Sequence, residues 1–349
     1  MKPSKLLAIA AVIVAGAATT INANDAVYYA RGSQLVPMQE TDISVSKEVL
    51  TFTLGDDGYA LVDVQYVFNN AGPAKTVKMG FEATSPYNTG DEPNPAGVHP
   101  YIDRFTVEFN GEKLSYTNSL VMPPQPDVPE EFLQYTYVYA FDAPFRSGEN
   151  RVHHTYRYRM SYGVSNAFMV PYWLTPAMRW ANKRIDDFTL RISVPKTEKY
   201  FCLVDTLFAG AEFKVIEGTG KVRHNQFEWS PTVFEIALRD GTVEWHKTNF
   251  VPSDDFTINS VDCYIGFDES VPVGAFYDRG DYFVIHPYDR KIRKDIARNL
   301  PYASRGYVFK RKDLQKYFEQ FFWYMPDKNY VPGSDELTPR EQRLQREGR

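Results

Sequence analysis

Apolar and polar positions alternate with a period of two through much of the first 250 residues. The pattern is cleanest over 59–68, where Val62, Val64, Tyr66 and Phe68 share one face and Leu61, Asp63, Gln65 and Val67 the other. With Val49 to Leu54 ahead of it and Gly55-Asp56-Asp57-Gly58 between, this predicts a hairpin. A second hairpin is predicted where Asn110-Gly111, residues that tolerate left-handed backbone, separates Phe105 to Phe109 from Glu112 to Tyr116. Further strands are predicted over 134–141, 152–160, 188–194, 199–204, 212–216, 233–238 and 243–245, with Gly218-Thr219-Gly220 as a hairpin turn. Pro-rich loops over 85–100 and 121–131 interrupt the series, and Thr175 to Lys183 reads as a helical patch.

After Tyr288 the period changes. Ile292, Ile296 and Leu300 fall one helical turn apart before the breaker Pro301 and Gly306, and a second helix is predicted from Lys312 to Tyr324, with Leu314, Tyr317, Phe318, Phe321 and Phe322 on one face. A charged segment opening at Thr338-Pro339 adds one more short helix. The expected fold is therefore mainly β: one or two antiparallel β-sandwich-like domains followed by a small α-helical C-terminal domain. A chain of 349 residues exceeds what one core usually organises. The expected division is a β-rich body over 24–280, with room for two subdomains parting near 165–185, and a helical domain over 286–349.

Composition adds the compartment. Lys2 and Lys5 precede an apolar run of 13 residues from Leu6 to Ala18, too short to span a bilayer at ~20 residues but right for a signal peptide, with cleavage expected behind Ala23. The chain is expected to be exported, periplasmic or extracellular, with no transmembrane segment after cleavage. The net charge of −5 hides an asymmetry: from His286 onward fifteen lysines and arginines meet nine acids, a balance of +6 against −11 on the remainder. Two modules with different partners would carry such a split, as would two halves that neutralise each other. Export also permits a disulfide between Cys202 and Cys263, the alternative being two buried thiols.

The segment Tyr302-Ala303-Ser304-Arg305-Gly306-Tyr307-Val308-Phe309, followed by Asp313-Leu314, Tyr317-Phe318, Trp323-Tyr324 and Pro326, resembles a YARHG domain. Ser304 stands where that family has arginine and Arg305 where it has histidine, so any role of that histidine is absent here. The body resembles the exported family called domain of unknown function 4424, through Asp42-Ile43-Ser44, Lys47-Glu48-Val49-Leu50, the strand Val64 to Asn69, and Trp180 with Ile185 and Phe188-Thr189-Leu190. Both resemblances imply export and architecture; neither implies a reaction.

No stretch meets the joint demands of a catalytic or cofactor motif. His153 and His154 are adjacent in a strand and so point to opposite faces, one packed and one exposed, which makes them poor partners for one metal ion. Gly163-Val164-Ser165-Asn166-Ala167 approximates a nucleophile elbow, with Asp205 and His224 following in order, but the body reads antiparallel where an elbow needs a parallel sheet. The paired acids, Asp56-Asp57 among them, sit in turns and loops rather than converging in a cleft. The C-terminal domain carries the candidate binding residues Arg305, Lys310, Arg311, Trp323 and Tyr324, basic and aromatic side chains. Export turns that pairing from nucleic acid toward an anionic envelope polymer, a glycan, an envelope protein or the acidic face of the body. The reading is a non-enzymatic envelope binding or scaffold protein without cofactor or metal; the alternative is an envelope hydrolase with an unrecognised site.

Overall fold

The alternation over 43–70 builds the first two long strands of the body, and nearly everything else is arranged to cover their apolar face. The structure, a computed structural model, describes residues 30–39, 41–55, 57–86, 89–122, 134–162, 168–194, 200–226, 232–260, 275–278, 281–284 and 290–333, with 337, 342, 345 and 346. The leader, Asp56, Ser165 and Cys263 lie outside these residues. In chain order the body comprises β1 (Gly32–Ser33), β2 (Leu35–Pro37), β3 (Ile43–Leu54), β4 (Tyr59–Asn70), β5 (Lys75–Thr84), β6 (Ile102–Phe109), β7 (Glu112–Lys113), β8 (Thr117–Val121), β9 (Thr136–Phe145) and β10 (Gly148–Arg159). There follow β11 (Ser161–Tyr162), β12 (Phe168–Trp173), β13 (Ile185–Val194), β14 (Tyr200–Val204), α1 (Asp205–Phe208), β15 (Lys214–Gln226), β16 (Thr232–Phe250) and β17 (Phe256–Ser260). A hairpin of β18 (Ala275–Asp278) and β19 (Asp281–Val284) precedes α2 (Arg290–Ser304) and α3 (Lys312–Phe318).

The fold is mostly β, as the alternation predicts. Among the described residues thirteen strands form one sheet in the order β1-β12-β17-β14-β16-β13-β3-β4-β10-β6-β7, with β11 on β12 and β15 on β16, while β2-β5-β9-β8 form a second sheet. Strand β16 joins the two arms of the large sheet, because residues 233–237 pair with β14 and residues 241–250 with β13. The change of neighbour falls at Gly241, whose φ is 101°. A Cβ there would lie 2.0 Å from the Glu217 carbonyl oxygen, and one at Gly218 2.3 Å from that of Asp240, so both positions exclude a side chain. The glycines over 218–220 are thus a close crossing inside β15, and the two strands predicted over 233–245 are one; crowding, not a turn, explains the residues. The strands β5, β8, β12 and β17 were not predicted; β12, nearly all apolar and containing Pro171, carries no alternation, whereas β5 does.

The inner face of β3, β4 and β10 is longer than either neighbouring sheet and is covered by both. At one end the four-stranded sheet lies over it, with Phe145 5.8 Å from Phe68 and Phe81 4.6 Å from Tyr156 between ring centroids. At the other, the β12 and β17 arm folds back, placing Tyr172 5.3 Å and Phe256 5.9 Å from Phe52. One hydrophobic cluster runs through all of these layers, and a separate one forms around α2 and α3. His154 lies on the buried row with Tyr156, Tyr158 and Met160, while His153 is half-buried on the other face and bonds Asp63 at 2.8 Å, the opposite-faces arrangement that a strand requires.

The chain crosses from one cover to the other in its first described residues. β1 pairs with β12, β2 pairs with β5, and Gln34 stands between them. The crossing backbone is tied to the face beneath: Ser33 N donates to Tyr156 Oη at 3.0 Å, Leu35 N to Tyr66 Oη at 3.4 Å, and Trp180 Nε1 to the Leu35 carbonyl at 3.2 Å. Gln34 Nε2 donates to both carboxyl oxygens of Glu48, at 2.6 and 2.7 Å. Glu48 is buried and, among the described residues, forms no ion pair, so burial pushes its carboxyl up to about 8. It faces inward because the register slips between Val45 and Lys47, a bulge that puts Glu48 in line with Leu50, Phe52 and Leu54. Burial also lowers His154 to about 3 and His99 to about 4. His99 anchors the 85–100 loop, bonding the Thr84 carbonyl through Nε2 at 2.9 Å and accepting Tyr101 N at Nδ1 at 3.1 Å.

These three groups set a pH profile. Between about 4.5 and 8 the folded chain holds the Glu48 proton that the unfolded chain releases, so rising pH weakens the fold. Below about 6.5 the unfolded chain protonates His99 and His154 and the folded chain does not, so falling pH weakens it too. Denaturant unfolding across the range is expected to show greatest stability near pH 6.5. In Glu48→Gln the alkaline decline, about 1.4 kcal/mol per pH unit, should disappear.

Candidate functional site

The pentapeptide Tyr302 to Gly306 is the end of a helix. α2 continues through Pro301 to Ser304, past the predicted break, because a proline there removes one N–H and the turn is closed in other ways. Ser304 Oγ and Arg305 Nη1 donate to the Pro301 carbonyl at 2.8 and 2.7 Å, and Gly306 N and Tyr307 N return to the Ala303 and Tyr302 carbonyls, each at 2.9 Å. Gly306 at φ 87° completes this left-handed cap. A Cβ on Gly306 would stand 2.4 Å from the Met325 carbonyl oxygen, and Asp327 N donates to the Gly306 carbonyl at 2.7 Å. The motif therefore ends α2 and receives the chain returning after α3.

α3 stops at Phe318, short of the predicted Tyr324, since the aromatic run that follows does not fit one helical face. Phe321 stacks on Trp323 at 5.6 Å, and Tyr324 is buried, its hydroxyl donating to the Tyr307 carbonyl at 2.7 Å. The five candidate residues are accordingly spread over different tasks. Tyr324 belongs to the module core, Trp323 is half-buried against Phe318 and Phe321, and Arg305 caps its own helix. Arg311 is held by Asp295 at 2.7 Å and by Asp313, while Lys310 is exposed. Lys312 and Lys316 are exposed as well.

The module meets the body through residues that the sequence did not single out. Lys221 on β15 donates to the Phe322 and Tyr324 carbonyls at 3.2 and 2.9 Å. Two residues on, Arg223 lies 4.2 Å over the Phe322 ring, and Arg239 on β16 pairs with Asp327 at 3.2 Å. Beneath Arg223 the buried Glu235 takes bonds from Arg223 Nε at 2.6 Å and Nη2 at 3.1 Å, from Asn225 Nδ2 at 2.7 Å and from the Tyr200 hydroxyl. Burial and then the Glu235 charge push the Tyr200 hydroxyl up, keeping it a donor. The contact is the reverse of basic module on acidic body: the body supplies three cations, and the module supplies carbonyl oxygens, a ring face and one carboxylate. Only the lysines and the aromatic run were visible as composition; no period in β15 marks Lys221 and Arg223 as partners of a distant turn.

Among the described residues no group of three or more His, Cys, Asp or Glu is placed to hold a metal ion. His224 lies 3.9 Å from Asp205 and 3.3 Å from Glu212, all at the surface or partly exposed. Phe168, the first described residue after the Ser165 segment, lies toward the Asn259 end of β17, whereas Asp205 follows β14 at the Phe256 end. Cys202 is buried, its Sγ 3.6 Å from the Asn259 carbonyl.

Residues 289–347 match the YARHG domain, which is typical of exported proteins. No curated protein matches the sequence. Among solved structures, a "putative nutrient binding protein" from Legionella pneumophila is similar at TM-score 0.54 and 17% identity, over 93% of this chain and 100% of that one, a likeness of fold. An M1 zinc metallopeptidase from Deinococcus radiodurans aligns at TM-score 0.24 and 10% identity over 60% of this chain and 43% of that one, too little to argue from. No helix among the described residues is long and apolar enough to cross a membrane.

Two substitutions separate cap from dock. Gly306→Ala should destabilise the module by about 1–2 kcal/mol from its backbone conformation alone, seen as a lowered midpoint of thermal unfolding. Arg223→Ala should leave α2 and α3 intact by circular dichroism but raise the rate at which protease cuts between body and module.

Proposed function

We propose that the protein is an exported cell-envelope protein that binds rather than catalyses, with the β body as platform and the C-terminal module contacting an anionic envelope polymer or an envelope protein. The observation that carries this reading is the division of labour within the module. Its aromatic turn is spent on the body, while Lys310, Lys312 and Lys316 stay exposed and take no part in the described contacts with β15 and β16. Clustered exposed cations raise the local concentration of a polyanion and speed its capture. The name of the Legionella protein of similar fold, a "putative nutrient binding protein", agrees with a binding role. A bridge from Cys202 to Cys263 belongs to this proposal, since Cys202 pairs in register with Asn259, four residues before Cys263 in sequence.

Retention of the full mature chain on isolated envelope fractions, measured against rising salt, tests the reading. Retention is expected to fall as salt screens the lysines, and the charge reversals Lys310→Glu, Lys312→Glu and Lys316→Glu together should lower it at least tenfold with thermal stability unchanged. Equal retention of the triple variant would reject the module as the binding surface.

A further inference from the structure

The junction between the two covers of the inner face holds a carboxyl group with no countercharge. We propose that Gln34 and Glu48 form a proton-dependent latch, which pins the segment from Gly32 to Pro37 across the junction while the Glu48 carboxyl is protonated and lets it go when the carboxylate forms.

The geometry supplies each part. Glu48 is 1% exposed and Gln34 1%, and the Gln34 amide is the hydrogen-bond partner of both carboxyl oxygens. The other polar groups facing Glu48 are the hydroxyls of Tyr66 on β4, Tyr156 on β10 and Tyr172 on β12, all of which burial keeps neutral. His154, stacked beside Tyr66 and Tyr156, is held neutral by the same burial. The charged group on the segment itself, Arg31, lies over Trp173 at 5.3 Å and makes no described contact with Glu48. The Gln34 N–H favours the carboxylate but does not outweigh its burial, no described group on the packed elements supplies a countercharge, and a buried charge without one is strongly unfavourable. Both carboxyl oxygens lie on Gln34 Nε2 while Gln34 Oε1 lacks a partner among the described residues; with the amide turned, a protonated carboxyl would donate to Oε1 through one oxygen and accept from Nε2 through the other, which a carboxylate would not.

What the latch holds is a short crossing. β1 contributes two paired residues on the edge of β12 and β2 three on the edge of β5, and between them the segment is fastened by its buried side chains, by the bonds to Tyr66, Tyr156 and Trp180, and by Gln34 on Glu48. Gly32 lets it lie close, since a Cβ there would meet Tyr156 Oη at 2.7 Å and Tyr172 Cδ2 at 2.8 Å. Loss of the proton to solvent would leave a charge buried beneath the segment, beside the Tyr66 and Tyr156 hydroxyl contacts, and the Gln34 N–H alone does not offset its burial. For an exported chain the relevant variable is then the alkalinity of the surroundings.

Deuterium exchange of the full mature chain tests the latch, with protection of amides 31–36 read against those of β4 after correction for intrinsic rates. Protection over 31–36 should fall about tenfold from pH 7 to pH 9.5 while β4 keeps its own, and Glu48→Gln should show no such fall. Equal loss in wild type and Glu48→Gln, loss shared by β4, or undiminished protection would each overturn the proposal. Should Glu48→Gln fail to fold, the infrared carbonyl band of a protonated carboxyl in the wild-type chain decides: its presence at pH 7 and disappearance in step with the segment's release support the latch, and its absence at pH 7 rejects it.

Discussion

An apolar sheet face must be covered, and here one face is too long for one cover. The inward rows of β3, β4 and β10 run from Phe68 and Val152 to Leu54 and Tyr158, and water is kept from them only because two different sheets share the task. The consequences follow in order. The large sheet has to fold back on itself, so β16 must change neighbours along its length, so Gly218 and Gly241 must be glycine where the strands crowd. The junction between covers must also be closed, and a polar segment crossing an apolar face needs hydrogen-bond partners beneath it. Tyr66, Tyr156 and Glu48 are those partners.

Much of this was legible along the chain and part of it was not. The β3–β4 hairpin, the Asn110-Gly111 turn and the opposite fates of His153 and His154 came from alternation and turn chemistry, which are local. Glu48 carried a signal that went unused: counted back by twos from Phe52 and Leu50, it falls on the apolar row. The strand β12 escaped because burial on both sides erases alternation, β5 escaped although Val77, Met79, Phe81 and Ala83 alternate with Lys78, Gly80, Glu82 and Thr84, and β16 was divided in two because its glycine resembles a turn when the opposing Gly218 is not known. The dock was hidden for a different reason. Lys221, Arg223 and Arg239 read as ordinary cations of a solvated strand until the turn after α3 is brought to them from about a hundred residues away.

Charge asymmetry between the halves proved real in sequence but not in the way the halves meet. The body, acidic as a whole, presents cations at the contact, and the basic module presents oxygens and a ring. Net charge sums over a surface, whereas a dock is decided within a few ångströms, where a buried carboxylate such as Glu235 can hold one arginine flat against one ring.

That dock has an unusual alphabet. Lys221 touches the main-chain oxygens of Phe322 and Tyr324, and Asp327 joins the module through its own backbone N–H to Gly306. Oxygens of this kind are present whatever side chains the turn bears, so the body reads the path of the chain more than its letters. Away from Phe322, Tyr324 and Asp327, substitutions in the turn should pass unnoticed, provided that the chain still bends where Gly306 lets it.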